Sequence, residues 1–486
     1  MKKVLLSGIS LFTALSSFSQ KKIDFVEYDL PNGIHVILHE EHSTPIVAVS
    51  VLYHVGSKNE VSNRTGFAHF FEHLLFEGSE NIGRGKYSEL VEKNGGVLNA
   101  NTSQDRTYYY EILPSHQLEL GLWLESERML HAKVDNKGIE TQRSVVKEEK
   151  RQSYDNQPYR SFIGEMFKRA FPNHPYRWIP IGSMEDLDAA QEEDYVNFYK
   201  TYYVPSNATL SIAGDLDVVQ TKKWIDKYFS SMPKGQVISI YRDFLAKSDA
   251  DFEKIYNISK SKFNKKDFLN PKDPEAKKLI TKWSIPFKYE GVSKDLPPIR
   301  GVIKDTVYDN IQLPALFMGY KIPEQTNSDS YALEMLNEIL SGGSSSRINK
   351  TIVEKKEMAT FAFSFNYALE DAGIEIFAAI ASNGVNLDSI QQEFDKQIDL
   401  IKNELISEEE FQKARNKFEN DLVSANATVA GIAENLANNH VYFGSANRVN
   451  TLSNDYMKVT REDIQRVAKK YLTQDARIIL HYLPKN

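Results

Sequence analysis

The sequence predicts an α+β protein built from two similar halves, and three observations lead to this prediction. Short segments that alternate apolar and polar residues lie between turn signals, as is typical of half-buried strands. Longer segments repeat apolar residues with the helical period. The order of these segments up to about residue 235 recurs from about residue 300, although the two halves share little identity. Strands and helices in this arrangement favour the α+β class.

The first half contains recognisable strands and helices in a definite order. An Asn32-Gly33 turn lies between two predicted strands. A helix follows at residues 65–79, and a pair of strands at 94–113 is favoured by the aromatic run Tyr108 to Tyr110. Further helices are predicted at 115–133 and 137–155, and a strand at 207–217. We place the end of this domain, residues 21–235, at about residue 235.

The remainder of the chain divides into a charged segment and the second half. Residues 236–295 are rich in lysine and only weakly periodic, which indicates a linker or surface insertion; the alternative is that they belong to one core. Residues 296–486 repeat the earlier order, with a predicted hairpin at 359–382. Within that hairpin we interpret Glu370 and Asp371 as a solvated turn.

Composition limits the functions that the chain can have. At 486 residues with 41% hydrophobic and 26% charged residues, two or more globular domains are expected. The net charge of −7 without a long basic run argues against a nucleic-acid partner. The chain has no cysteine, so any protein-bound metal must be held by His, Asp or Glu.

The first 20 residues predict a secretory signal peptide. Lys2 and Lys3 precede the mostly apolar stretch Val4 to Leu15, which is too short to span a bilayer, and small residues follow. The alternative is a buried N-terminal helix or strand. No later stretch approaches ~20 apolar residues, so we predict a periplasmic or secreted protein without a membrane span after cleavage.

The strongest chemical signal lies in "TGFAHFFEHLLFEGS", residues 65–79. This predicted helix is apolar nearly all round, yet it carries His69, Glu72 and His73. The two histidines are four residues apart and leave the same helix face, where their imidazoles can hold one zinc ion at ~2.0–2.1 Å. Glu72 lies beside them as a general base for hydrolysis. The order His-x-x-Glu-His is an inverted zinc-helix motif.

An alternative interpretation is two hydrogen-bonded core histidines and a salt-bridged glutamate. Burial disfavours it, because an unpaired buried carboxylate costs several kcal/mol and a dication is a natural partner. A third zinc ligand is expected from "QRSVVKEEKRQ". There Glu149 shares a helix face with Val145 and Val146, which we take to point inward, whereas Glu148 falls on the polar side. We therefore predict Glu149 as the third ligand.

These segments resemble the pitrilysin or insulinase family of zinc peptidases. "GFAHFFEHLLFEGS", "NGGVLNANTSQDRTYYYEIL" and "QRSVVKEE" carry the resemblance, and the 76 residues from His73 to Glu149 match the family's spacing. The resemblance implies two homologous domains, each an antiparallel sheet covered by helices. It implies Zn²⁺ on His69, His73 and Glu149, with Glu72 activating water. It also implies an edge strand with Asn99 and Ala100 that pairs with a peptide substrate.

The sequence departs from the family pattern at two places. Gln142 stands where family members often have a glutamate, seven residues before the third ligand. In the second half, Val353 and Thr360 stand where the family has an Arg and a Tyr that hold the substrate, and Arg347 and Lys355 are out of register. We infer the catalytic half of a heterodimer whose homologous partner subunit supplies the Arg/Tyr clamp; a homodimer with another clamp is the alternative.

The function predicted from the sequence is therefore that of a secreted zinc metalloendopeptidase acting on peptides or unfolded polypeptides. The first domain would bind zinc and the second would be a homologous domain without metal. The alternative is a non-catalytic scaffold or assembly subunit on the same fold.

Overall fold

The computed structural model describes residues 22–235, 237–284 and 296–485. The predicted signal peptide, residues 1–20, therefore lies outside the described residues. The described chain forms two sheets, one from each half, and helices cover both of them. Within the described ranges, none of the helices is both long and apolar enough to cross a membrane.

Each half contributes one sheet. The strands of the first sheet are β1 Val26–Asp29, β2 His35–Glu40, β3 Ile46–Tyr53, β4 Val97–Thr102, β5 Thr107–Pro114 and β6 Ala208–Gly214. The strands of the second sheet are β7 Val302–Asp309, β8 Ala315–Ile322, β9 Ala359–Ala368, β10 Gly373–Ala381 and β11 Arg477–Pro484. The spatial orders are β1-β2-β6-β3-β5-β4 and β7-β11-β8-β10-β9.

The two sheets have the same topology once β1 is set aside. The order β2-β6-β3-β5-β4 corresponds strand for strand to β7-β11-β8-β10-β9, which confirms the predicted pair of similar halves. Each sheet differs from the expected antiparallel pattern at one pairing, because β2 with β6 and β7 with β11 are parallel. The closing strand of each half returns only after a long helical crossover, and such a connection allows a parallel partner.

Helices fill the connections between these strands. In the first half they are α1 Phe67–Leu74, α2 Lys86–Lys93, α3 Leu118–His131, α4 Asn136–Lys150, α5 Phe162–Ala170, α6 Met184–Ala189, α7 Glu192–Tyr202 and α8 Val218–Phe229. The segment between the halves contains α9 Val237–Ala246, α10 Asp249–Tyr256 and α11 Pro274–Trp283. In the second half they are α12 Asp329–Ser341, α13 Leu387–Asn403, α14 Glu408–Ala425, α15 Val429–Phe443, α16 Leu452–Lys458 and α17 Arg461–Tyr471.

One helix from each half packs on the sheet of the other half. From the first half, α5 packs on the second sheet, where Phe162 stacks on Phe317 with 4.4 Å between the ring centroids. From the second half, α15 packs on the first sheet, with Leu436 in one apolar cluster with Ile37 and Ala48. Each core is therefore completed by a helix that lies far away in sequence, and no pattern within one half predicts this.

The described part of the lysine-rich segment, residues 237–284, is folded. Helices α9 to α11 surround an apolar cluster that includes Ile240, Phe252 and Phe268. This small unit is fastened to the first half by Arg242, which lies 3.9 Å from the centroid of the Tyr199 ring and donates to the carbonyl of Tyr203 at 2.8 Å. An insertion with its own core and a buried cation at its base is a structural unit rather than an extended linker.

A buried ionic network joins the two halves. Lys58, which follows β3, is fully buried, and its Nζ lies 3.0 Å from Asp105, 2.6 Å from Glu370 and 3.3 Å from Asp371. The interpretation of Glu370 and Asp371 as a solvated turn is wrong. The β9–β10 turn docks against the first half, so these carboxylates face a lysine instead of water.

Candidate metal centre

The start of α1 is held by a carboxylate that the sequence reasoning did not single out. Glu60 accepts hydrogen bonds from the backbone N–H groups of Gly66 and Ala68, both at 2.9 Å. It thereby satisfies N–H groups that have no partner within the helix. Burial raises the pKa of Glu60 well above its usual range. A glutamate six residues before a glycine that precedes an apolar helix was the available signal.

The Gly66 backbone also needs glycine. Its φ of +92° is left-handed, and a Cβ there would lie 2.9 Å from the carbonyl oxygen of Ile181. The segment after Ile181 closes over the start of α1, where Asp186 accepts a hydrogen bond from the backbone N–H of Thr65 at 3.1 Å. The beginning of the helix is therefore fixed from both sides.

Aromatic packing fixes the orientation of α1. Phe67 stacks on Tyr195 with 4.5 Å between ring centroids, and Phe71 stacks on Tyr199 at 5.8 Å. The side chains on this apolar side are buried, whereas His69, Glu72 and His73 are partly exposed. The helix is thus apolar against the core and presents its polar groups on the remaining face.

The three predicted ligands meet at that face. His73 Nε2 lies 3.0 Å from one carboxylate oxygen of Glu149, and His69 Nε2 lies 3.5 Å from the other. One ligand atom from each residue lies within 4.8 Å of the others. A tetrahedral zinc ion with bonds of ~2.0–2.1 Å separates neighbouring ligand atoms by about 3.3 Å. Donor chemistry and spacing therefore both fit zinc.

Helix α4 brings Glu149 to the histidines. This helix begins after Asp135, whose side chain accepts from the N–H of Gly138 at 2.9 Å. A hydrogen bond from His69, which has the larger effect, and one from His73 hold the pKa of the Glu149 carboxyl well below its usual range. The neighbouring Glu148 is exposed, as expected, and pairs with Arg151.

One step of the helical-face argument for Glu149 is wrong. Val146 is buried, but Val145 is 44% exposed and does not point into the core. Val145, Glu148 and Glu149 line an open cleft of about 590 Å³ along α4. This side of α4 therefore borders a cleft, and a valine can face it because the helix is not packed there.

Glu72 lies on α1 between the two histidines in sequence, and its charge acts on the aromatic residues beneath the helix. Burial raises the pKa of Tyr109 and of Tyr203, and the negative charge of Glu72 adds to both effects. Tyr109 in turn donates a hydrogen bond to the backbone carbonyl of Phe71 at 2.8 Å. Glu72 is partly exposed, like the two histidines, and three residues after His69 it shares their face of the helix.

The remaining predicted residues of the first half surround this site. Gln142 donates a hydrogen bond to Glu77 at 2.6 Å, so it contacts a carboxylate one turn after His73. Asn99 and Ala100 lie on β4, which is the edge of the first sheet and packs against α1. The N–H of Ala100 bonds to the side chain of Asn99 at 2.8 Å.

In the second half, Val353 and Thr360 stand at the positions where the resemblance implies an Arg and a Tyr that hold the substrate. Val353 lies in a π-helical turn, Asn349–Lys355, and Thr360 lies at the start of β9. The nearby Arg347 forms a bidentate ion pair with Glu410, with donor–acceptor distances of 2.7 and 2.9 Å.

Comparisons with known proteins agree with this geometry. The family described as "Insulinase (Peptidase family M16)" matches residues 35–177, and "Peptidase M16 inactive domain" matches residues 190–418. The chain is 28% identical over 458 residues to "Zinc protease PqqE" of Helicobacter pylori, covering 93% of this chain and 91% of that one.

Solved structures give the same result for the fold. A protease from Helicobacter pylori superposes with a TM-score of 0.79 at 25% identity, covering 95% of this chain and 100% of the other. The periplasmic protease PqqL from Escherichia coli superposes with a TM-score of 0.68 at 17% identity, covering 94% of this chain but 47% of its own length. Two family matches span most of the chain, and the fold agrees with them. The chain therefore belongs to the insulinase family of zinc peptidases, peptidase family M16.

Proposed function

We propose that this protein is an exported zinc metalloendopeptidase that hydrolyses peptides or unfolded polypeptides. One observation supports this proposal above the others. His69, His73 and Glu149 converge within metal-binding distance, although Glu149 is 76 residues from His73 in sequence. Glu72 lies on the same helix as both histidines. A structural zinc site usually has four protein ligands, whereas three ligands beside a general base are typical of a hydrolytic site.

In the proposed mechanism each residue has a separate task. Zinc, when bound, would act as a Lewis acid toward the scissile carbonyl and the attacking water. Glu72 accepts the proton of that water and later returns it to the leaving amine. The buried apolar side of α1 keeps the imidazoles in place.

Substrate would bind along the sheet edge. The strand β4 has a neighbour on one side only and packs against α1, so an extended peptide added to this edge would pass the ligand face. The cleft beside Glu149 has room for side chains of such a peptide.

We further propose that this chain is the catalytic half of a heterodimer. The homologous second half lacks the Arg and Tyr of the family clamp, and Arg347 is engaged by Glu410. The solved protease PqqL is about twice as long as this chain. A second subunit with the Arg/Tyr pair would provide the missing half, whereas full activity of this chain alone would contradict the heterodimer. Export would follow from residues 1–20.

The test of the hydrolytic function compares matched glutamine variants. We call the site formed by His69, His73 and Glu149 the His69 site. In Glu72→Gln we expect this site to keep about one zinc ion per chain. Hydrolysis of a fluorogenic unfolded peptide falls at least 10²-fold, which is the usual loss without a general base. Glu140→Gln, an exposed residue of α4 outside the cleft, is the control and retains activity. If Glu72→Gln hydrolyses the peptide as fast as the wild type, the mechanism is wrong; if neither protein hydrolyses it with a partner present, the scaffold alternative is favoured.

A further inference from the structure

A second group of metal-type ligands lies where α15 crosses onto the first sheet. It consists of Glu27 and Asp29 on β1, His35 on β2 and His440 on α15, and we call it the His35 cluster. One ligand atom each from Glu27, His35 and His440 lies within 4.8 Å of the others. The cluster is separate from α1 and α4, and the peptidase mechanism does not use it.

The hydrogen bonding of His35 leaves one ring nitrogen without a donor. Nδ1 lies 2.7 Å from a carboxylate oxygen of Asp29, so Nδ1 must carry the proton of that bond. In a neutral imidazole Nε2 then presents a lone pair, and the carboxylate of Glu27 lies only 3.3 Å from it. Nε2 is buried and has no hydrogen-bond partner. Two acceptors facing each other at this distance require a cation or a second proton between them.

The same arrangement recurs in metal sites. A metal-ligating histidine usually donates its other N–H to a carboxylate, which orients the ring and increases its basicity. The bond from His35 to Asp29 is of this kind. Imidazole nitrogens with one carboxylate suit zinc, nickel or copper, whereas calcium and magnesium prefer oxygen ligands alone.

We propose that Glu27, His35 and His440 bind a second divalent transition-metal ion, and that this ion fastens α15 to the first sheet. The His440 ring stacks face to face on His35, with 3.5 Å between centroids and 4° between planes. An ion in the plane of both rings requires the stack to open, so this site binds more weakly than the His69 site. The ion would connect a helix of the second half to strands of the first.

The test measures zinc binding in a protein without the first site. The untagged full chain with His69→Gln is dialysed to equilibrium against zinc, and bound zinc and the thermal midpoint are measured. We expect about one ion per chain and a higher midpoint with zinc than without it. Adding His440→Phe, which keeps a stacking ring but offers no ligand, abolishes both effects.

Two results would overturn the proposal. If His69→Gln binds no zinc and its midpoint does not change, the contacts come from a doubly protonated His35 held between two carboxylates. If the second ion persists with His440→Phe, the ligand assignment is wrong. The control is His42→Phe, which removes a more exposed histidine outside the cluster and leaves binding unchanged. These readouts need no hydrolysis, so failure here and failure of the peptidase proposal are distinguishable.

Discussion

Replacing Lys58 by methionine tests whether the buried ionic network holds the two halves together. The change keeps most of the length of the side chain, which becomes one atom shorter, and removes its charge. It leaves Asp105 and Asp371, whose side chains are 2% exposed, and Glu370, which is 16% exposed, without their shared cation. Removing one partner from a buried ion pair costs about 3–5 kcal/mol, because the remaining charge stays buried and uncompensated.

The loss in stability depends on pH. Burial already raises the pKa of Asp105, while Lys58 lowers it. Without Lys58 this pKa rises further, so the folded variant binds a proton more tightly than the unfolded chain does. Since a group with a raised folded-state pKa stabilises the fold more as pH falls, the variant recovers stability as the pH falls through this raised pKa.

The assay is urea unfolding followed by tryptophan fluorescence. Trp178 reports on this junction because its indole N–H donates to the carbonyl of Ser57, beside Lys58, at 2.8 Å. The control is Lys147→Met, which removes a partly exposed ion pair with Asp188 and is expected to cost about 0–1 kcal/mol. If Lys58→Met unfolds at the same urea concentration as this control at pH 8, the network does not stabilise the junction.

Three further predictions concern the site and its supports. Glu149→Gln lowers bound zinc at the His69 site at least tenfold by metal analysis, whereas Glu148→Gln leaves it unchanged; equal zinc in both would contradict the ligand assignment. Gly66→Ala destabilises the protein by about 1–3 kcal/mol in urea unfolding, because φ is +92° and Ile181 is too close; a neutral effect would show that the helix start can relax. Hydrogen bonds from Arg347 lower the pKa of Glu410 to about 2. That contribution is present above the usual carboxylate pKa and is lost as pH falls toward 2, so the stability difference between wild type and Arg347→Met shrinks between pH 5 and pH 3; a constant difference would contradict it.

Much of the fold followed from local patterns. Alternation and turn chemistry located the β4–β5 hairpin and the β9–β10 hairpin, and the recurrence of segments predicted two similar sheets. These features depend on residues close in sequence, whose spacing is read directly from the chain. The parallel pairing of β2 with β6 depends instead on a return after more than 150 residues, which no local period contains.

In the candidate metal centre, too, some features followed from local spacing and others from packing in the folded chain. The spacing of His69 and His73 on one helix placed two proposed zinc ligands on one face, and helical periodicity preferred Glu149 over Glu148 as the third. The prediction that Val145 points inward is wrong, because this side of α4 faces a cleft. Periodicity determines which residues share a face, but it does not determine what that face meets.

Local patterns predicted many of the strands and helices and placed His69 and His73, two proposed zinc ligands, on one helix face, because these features depend on residues within one or two helical turns or one hairpin. The recurrence of such segments along the chain predicted the pair of similar halves. Packing in the folded chain establishes which helix covers which sheet, that Glu370 and Asp371 contact a buried lysine, and that His440 stacks on His35. The contact of Lys58 with Glu370 and the stack of His440 on His35 join residues more than 300 positions apart in the chain. They arise from the burial of apolar faces, which is non-directional and does not specify its partner in the local sequence.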